Sequence, residues 1–442
     1  MRNRPYWFVL VIFILLGTAA IAAAQGGLTV LQQDHSYAFN KEMVFELGLQ
    51  SEESIPDNSI ELLYSIGPHG DVMNRRRPEY QPGKTLTLRV RDELEQGQIP
   101  PASVITYHWK IKDEAGNTFE TEESSFVYMD DRFDWQSKTK EPITIYWYGR
   151  VDDERLLRVA VDALGRLENT IGFQLETPIN IVVYRNKADM QGAMAPRGQT
   201  FDEQITTLGI VVAPDVMLLL NEADVDNTVA HELTHMVVGA ATENPFAEIP
   251  AWLNEGLAMY NQDSVESVYQ EELRDAVRSA DLDTVRRLSA RTGNAARVNL
   301  WYAEVWNLVD FLVNEYGGAK MSELLDIFSR GAHPDDALME VYGFDRDGLT
   351  VRWWESLGAE IPPSLRGEVT AVPEGDTGTT DQEPGQSPEA PQSPTEVPAA
   401  PQSGPAKQPQ PQPTGPLACC LGLLPAGLLI FGGLRFHSRL GA

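Results

Sequence analysis

Cysteine is almost missing from this 442-residue sequence: the only two, Cys419 and Cys420, are adjacent and sit near the C-terminus. A disulfide framework and a thiolate metal site are therefore both excluded from the body of the chain, where any metal must be held by His, Asp or Glu. Positive charge is also scarce. With 35 Lys and Arg against 64 Asp and Glu, the formal net charge is -29, which repels phosphate backbones and argues against nucleic acid as a partner. Histidine is rare too, at 7 residues, so a close pair stands out. Apolar residues are plentiful: 42% hydrophobic and 9% aromatic content can build cores for two or three domains.

Both ends carry membrane signals. Arg2 and Arg4 precede the apolar run from Tyr6 to Ala24, which closes on Ala22-Ala23-Ala24 before Gln25. Residues 1–24 are read as a secretory signal peptide, with an uncleaved anchor as the alternative; export follows either way. Leu417 to Leu434 contains no charge and is followed by Arg435, His437 and Arg439, as expected of a stop-transfer helix whose tail lies in the cytoplasm. The expected location is the cell membrane, single-pass, with the folded part outside. Between them, residues 372–416 are dominated by Pro, Gln, Ser, Thr, Gly and Glu, and should form a disordered tether that holds the folded part off the membrane.

The exported body divides near residue 131. Residues 26–131 show short alternating segments broken by turn signals, such as "IELLYSI", "TLTLRVR" and "SVITYHWKIK", with a Gly-Asn hairpin signal in "KIKDEAGNTFET". A β-sandwich of immunoglobulin-like type is expected, without the disulfide. His35, His69 and His108 lie there without metal-ligand spacing. Residues 143–360 change pattern. "ITIYWYG" and "INIVVY" read as strands around a helix from Asp152 to Ile171, and Leu208 to Asn221 adds one or two strands. Helices follow at Ala251 to Asn261, Val268 to Ala280, Asn299 to Tyr316, Met321 to Arg330 and Asp335 to Tyr342, giving an α+β order.

Between the last strand and the helical part stands "TVAHELTHMVV", Thr228 to Val238, with His231 and His235 four residues apart. On a helix such positions share a face, so both imidazoles can aim at one cation while Glu232 sits about 100° around the axis. Asp224 to Asn227 supplies several N-cap candidates, of which Asn227 or Asp226 could hold the first free amides. The alternative is an ordinary buried helix, and a third ligand decides between them, since catalytic zinc takes three protein ligands and leaves a position for water. A metzincin would need glycine and histidine where Val238 and Ala241 stand, and is excluded. "IPAWLNEGLAMY", Ile249 to Tyr260, offers Glu255 among apolar residues, where an ionised, unpaired acid costs several kcal/mol and coordination to a dication removes that cost.

His231-Glu232-x-x-His235 followed by Glu255 in "WLNEGLA" resembles the gluzincin zinc peptidases. The ligand spacing is similar to thermolysin, the WLNEG segment to the leukotriene-hydrolase aminopeptidases, and the pairing of "HELTH" with "PAWLNEGLA" to the bacterial peptidase MA-like family, over roughly residues 143–357. The resemblance implies a zincin-type metallopeptidase domain with Zn²⁺ held by His231, His235 and Glu255, Glu232 as general base, and a peptide or protein substrate. It also implies an oxyanion-binding Tyr or His in the helical part, for which Tyr302 is the candidate, with a packing tyrosine as the plainer reading. Two departures matter. "GAMAP" at Gly192 to Pro196 lacks the glutamate with which the aminopeptidase branch binds a free N-terminus, which favours an endopeptidase. Met259 stands where thermolysin has an acid supporting its first zinc histidine, so the residues behind the ligands are left unassigned. An edge strand within Leu208 to Leu220 is a candidate for aligning an extended peptide. The rival reading is a cell-surface binding protein in which the peptidase-like domain is only a scaffold.

Overall fold

Strict alternation along GKTLTLRVRDE, whose Leu86, Leu88 and Val90 are buried between outward polar residues, is what a strand half-covered by a core should show. The computed structural model describes residues 24–366, apart from 26, 68–72, 176, 197–206, 223 and 245–248. The expected signal segment before Ala24, His69, the expected tether and anchor segment, and Cys419 and Cys420 lie outside the described residues. Among the described residues, no helix is long and apolar enough to cross a membrane.

The first half is built from antiparallel strands. β1 (Ala24–Gln25), β2 (Leu28–Ala38), β3 (Glu42–Ile55) and β6 (Gly83–Glu93) form one sheet in the order β1-β2-β3-β6. β5 (Asn74–Arg76), β4 (Ile60–Ile66), β7 (Ser103–Lys112) and β8 (Thr118–Glu120) form the other in the order β5-β4-β7-β8, and β9 (Ser124–Tyr128) also pairs with β7. Phe45, Leu47, Leu49, Leu62, Trp109 and Ile111 fill the core they share. The hairpin expected in "KIKDEAGNTFET" joins β7 to β8: Gly116 takes a positive φ of 89°, and the Asp113 carboxylate accepts both the backbone and side-chain N–H of Asn117.

The second half opens on a mixed sheet. β10 (Gln136–Lys140), β11 (Ile143–Trp147), β12 (Ile179–Tyr184), β13 (Gly209–Ala213) and β14 (Val216–Leu220) lie in the order β10-β11-β12-β14-β13. β11, β12 and β14 are parallel, and the edge strands β10 and β13 are antiparallel to their neighbours. This sheet begins at Gln136, ahead of the expected boundary at 143, because the polar QSKTK of β10 pairs along the whole of β11. An exposed edge strand needs backbone pairing and not apolar residues, so hydropathy does not reveal it.

INIVVY and VMLLL are buried at every position, which requires a cover on both faces of the sheet. One cover is helical: Ile181, Val183, Met217 and Leu219 pack with α1 (Asp153–Ile171) and α3 (Val225–Ala241). The other is the sandwich, because Val182, Tyr184, Val216, Leu218 and Leu220 belong to the same core as Phe45 and Trp109. The short α2 (Lys187–Gln191) and the turn after it dock there too, where Asn40 Nδ2 donates to Gly192 O at 2.9 Å and Gln96 Nε2 donates to Gln191 O and Met194 O. Contact at this seam is close enough that a Cβ at Gly97, whose φ is +72°, would meet Ala195 N at 2.0 Å.

The rest is helical: α4 (Ala251–Tyr260), α5 (Ser267–Ser279), α6 (Val285–Leu288), a 3₁₀ turn (Ala295–Arg297), α7 (Val298–Tyr316), α8 (Gly318–Ser329), α9 (Pro334–Tyr342), α10 (Arg346–Ser356) and α11 (Pro363–Arg366). They share one core built on Trp252, Leu257, Val305, Leu308, Leu324 and Trp353. α10 goes beyond the helices expected from the sequence. Its charged and glycine-containing start hides the periodicity, yet the Asp345 side chain caps it by accepting from Asp347 N and Gly348 N.

Candidate metal centre

The helix α3 is buried on nearly all sides, with Val229, Ala230, Leu233 and Met236 against the sheet and Val237 and Val238 against the helical core. It starts at the first of the expected N-cap candidates. Asp224 is the N-cap residue and makes no side-chain cap bond; Asn227 lies in the first turn and donates from Nδ2 to Asp224 Oδ1 at 3.1 Å. Its partner α4 begins after Pro250 and crosses α7 closely: a Cβ at Gly256 would lie 2.5 Å from both Val305 O and Val309 Cγ2. Glycine after Glu255 is therefore a packing requirement, and it sets how deeply Glu255 is carried into the molecule. Asn261, at the end of α4, ties the helices together by donating to Thr234 Oγ1 at 3.0 Å and to the carbonyls of Ala163 and Ala230.

These contacts bring His231, His235 and Glu255 together, with one ligand atom from each lying within 4.8 Å of the others. The two Nε2 atoms are 3.2 Å apart, Glu255 Oε2 is 3.5 Å from His231 Nε2, and Oε1 is 3.6 Å from His235 Nε2. Zinc–ligand bonds of about 2.0–2.1 Å at tetrahedral angles place neighbouring ligand atoms about 3.3 Å apart, so the cluster has the right size. The donor chemistry fits as well. Glu255 is 1% exposed, and its Oε2 is buried without a hydrogen-bond partner, an arrangement expensive for a carboxylate unless a cation completes it. Burial works against the ionised form of Glu255, but His235, His231 and Arg291 outweigh it and hold the carboxyl well below the usual range.

Behind the ligands stand two residues that the motif did not assign. Asn254 Oδ1 lies 3.0 Å from His235 Nδ1, and Gln262 Nε2 lies 3.0 Å from His231 Nδ1. A histidine that binds metal through Nε2 carries its proton on Nδ1, which Asn254 Oδ1 accepts; the Gln262 amide, whose nitrogen faces His231 here, would do the same once turned to present its oxygen. Asn254 was in plain view inside "WLNEG", but only the crossing of α3 and α4 shows that it reaches His235. Gln262, three residues beyond Met259, is the side chain that stands behind His231.

Glu232 points from α3 toward the edge of the sheet. Its side chain packs under β13, where a Cβ at Gly209 would meet Glu232 Cγ at 2.7 Å, and the Val211 N–H donates to its carboxylate. Burial and the negative charge of Glu255, eased by His235 and Arg291, raise its pKa to about 7. Tyr302, on α7, is buried beside Trp301 and Tyr269, and burial together with the Glu255 charge pushes its hydroxyl pKa far up, so it stays an O–H donor at every working pH. The expected peptide-aligning strand resolves into two, of which only β13 is at the edge; β14 is interior. His35 and His108 lie in the sandwich, His35 stacked on Phe126 at 3.9 Å, well apart in the fold from this cluster.

Residues 159–359 match the family described as Peptidase MA superfamily. No curated protein matches. Among solved structures, the chain is similar to the sensor domain of the anti-sigma factor RsgI4 of Pseudobacteroides cellulosolvens, at 9% identity and a TM-score of 0.18, covering 24% of this chain and 98% of that one. It is also similar to the sporulation control protein Spo0M of Bacillus subtilis, at 10% identity and a TM-score of 0.18, covering 35% of this chain and 59% of that one. Likenesses at these scores carry no argument about this chain. The family match, lying over the mixed sheet's helices and the ligand cluster, supports a peptidase MA-type fold for the second half of the molecule and a group of residues that could hold a metal.

Proposed function

We propose that this chain is a zinc metallopeptidase, an endopeptidase acting on peptide or protein substrates. The observation that carries the reading is the convergence of His231, His235 and Glu255 with Glu232 directly beside them, inside a peptidase-like scaffold. Zinc held by the three would supply a water of lowered pKa and polarise the scissile carbonyl. The remaining work falls to the chain's own groups. Glu232, next to His231 on the same helix and held by the Val211 N–H, is placed to take a proton from water and give it to the leaving amine. Tyr302, kept protonated, is the donor for the developing oxyanion. β13, at the edge of the sheet above Glu232, is the strand along which an extended peptide can pair. Asn254 and Gln262 orient the imidazoles.

The site of action is read from the ends of the chain: the apolar run from Tyr6 to Ala24 exports it, and Leu417 to Leu434 holds it at the membrane with the peptidase outside. Purified full-length protein should contain one zinc per chain, and Glu232→Gln should keep the zinc while cutting blocked peptides about 10²- to 10⁴-fold more slowly. A wild-type protein without zinc, or a Glu232→Gln variant of unchanged activity, would sink the reading. Hydrolysis of free-amine aminoacyl substrates and none of blocked peptides would replace the endopeptidase by an aminopeptidase.

A further inference from the structure

Arg291 was not singled out by any motif, yet its Nη2 touches Oε1 of Glu255, the carboxylate that completes the ligand cluster. The contact is built by the segment that carries it. The carbonyl of Ser289 accepts from Ala251 N, at the start of the helix bearing Glu255, and the carbonyl of Ala290 accepts from Trp301 Nε1 on α7. The segment is fastened at its ends as well. Asp283 N donates to the buried carboxylate of Glu304 at 2.7 Å, Val285 N donates to Thr350 Oγ1 at 3.1 Å, and Arg297 pairs with Asp281 and Asp283. Arg291 is thus delivered to Glu255 from a braced turn.

We infer that Arg291 is a positioning residue for the metal-binding carboxylate: by holding Oε1, which lies 3.6 Å from His235 Nε2, it fixes the rotation of Glu255 and leaves Oε2 facing His231 Nε2. Without that hold, the carboxylate is free to turn about its last bond, and two oxygens compete for the same role. Oε2 is buried with no hydrogen-bond partner, and it lies 3.5 Å from His231 Nε2. Oε1 is the atom that Arg291 takes. The guanidinium also offsets the cost of keeping an ionised carboxylate at 1% exposure before any dication arrives. Partners behind a metal ligand of this kind are worth about 10- to 100-fold in affinity.

The inference rests on the metal reading above, and one experiment separates their failures. Zn²⁺ affinity of the full-length protein is measured by competition with a chromogenic chelator, independently of activity, for wild type, Arg291→Met, Arg291→Gln, Arg291→Lys and Arg287→Met. Wild type that binds no zinc overturns the metal reading itself. With wild type binding, Arg291→Met and Arg291→Gln should each bind about 10- to 100-fold more weakly, and Arg291→Lys, which restores the charge and one donor, should recover part of the loss. Arg287→Met removes a neighbouring ion pair to Asp283 from the same segment and should bind as wild type does. Unchanged affinity in both neutral Arg291 variants overturns the inference, and so does an equal loss in Arg287→Met, which would show that only the order of the segment matters. Circular dichroism of the metal-free proteins identifies any variant that has lost its fold; the comparison then rests on the others.

Discussion

The two faces of the mixed sheet bury carboxylates under opposite terms. On the sandwich side, Asp130 is fully buried and fully provided for: Arg132 donates to both of its oxygens, Tyr184 Oη donates at 3.0 Å, and Trp135 Nε1 donates to its backbone carbonyl at 2.7 Å. On the helical side, Glu232 has its pKa raised to about 7 by burial, and Glu255 leaves Oε2 without a partner. A satisfied buried network specifies a structure, whereas an under-satisfied one costs stability and persists where a ligand or reaction completes it. The difference fits architecture on one face and the proposed chemistry on the other. It also changes what the sandwich is, because a module whose core continues into the sheet is part of one unit with the peptidase-like half and not a detachable recruiting domain.

The largest test of that comparison is removal of residues 26–131. A separable binding module would leave a soluble peptidase half behind. The shared core predicts the contrary: Val182, Tyr184, Val216, Leu218 and Leu220 would lose their cover, and an apolar sheet face of that extent aggregates. Expression of the truncated chain as a soluble, cooperatively folded protein would break the comparison.

A smaller test breaks the sandwich face at one residue. Asp130→Ala leaves Arg132 and the Tyr184 hydroxyl without their partner, and should lower stability by about 3 to 4 kcal/mol, discounted because Arg132 is 40% exposed. Denaturant unfolding at neutral pH measures it. Zinc content and cleavage at low temperature should be unchanged, since no atom of this network touches the ligand cluster. A loss of zinc at full stability would mean that the two faces are not independent.

How far the sequence discloses these two faces follows from the kind of signal each leaves. The candidate ligand cluster was legible because helical spacing fixes His231 against His235, and because "WLNEGLA" leaves an acid among apolar neighbours that needs a reason. The alternating strands of the first half and most helices of the second were legible from their periods. Asn254, Gln262 and Arg291 were not, since each earns its place through a contact between elements, at sequence distances of 19, 31 and 36 residues. The sandwich seam was equally hidden. INIVVY is apolar throughout, which announces a buried strand without saying what buries its second face.

The last test reverses the sign of the Asp130 experiment on the opposite face. In metal-free protein the Glu232 carboxyl, an ordinary 4.5 in the unfolded chain, is raised to about 7 by burial and by Glu255, with His235, Arg291 and the Val211 N–H pulling it down. Below pH 4.5 both states hold the proton and no penalty exists. As pH rises from there to about 7, the unfolded chain gives up its proton while the folded one keeps it, so stability falls across that interval and the loss is complete above it. Glu232→Gln removes the penalty. Metal-free Glu232→Gln should therefore match wild type near pH 4.5 and exceed it by up to about 3 kcal/mol at pH 8, read from denaturant unfolding at a series of pH values. With zinc bound the advantage should shrink, because a dication beside Glu232 favours the ionised form. A gap that stays flat from pH 5 to 8 would show that Glu232 is as well provided for as Asp130, and the contrast between the two faces would fall with it.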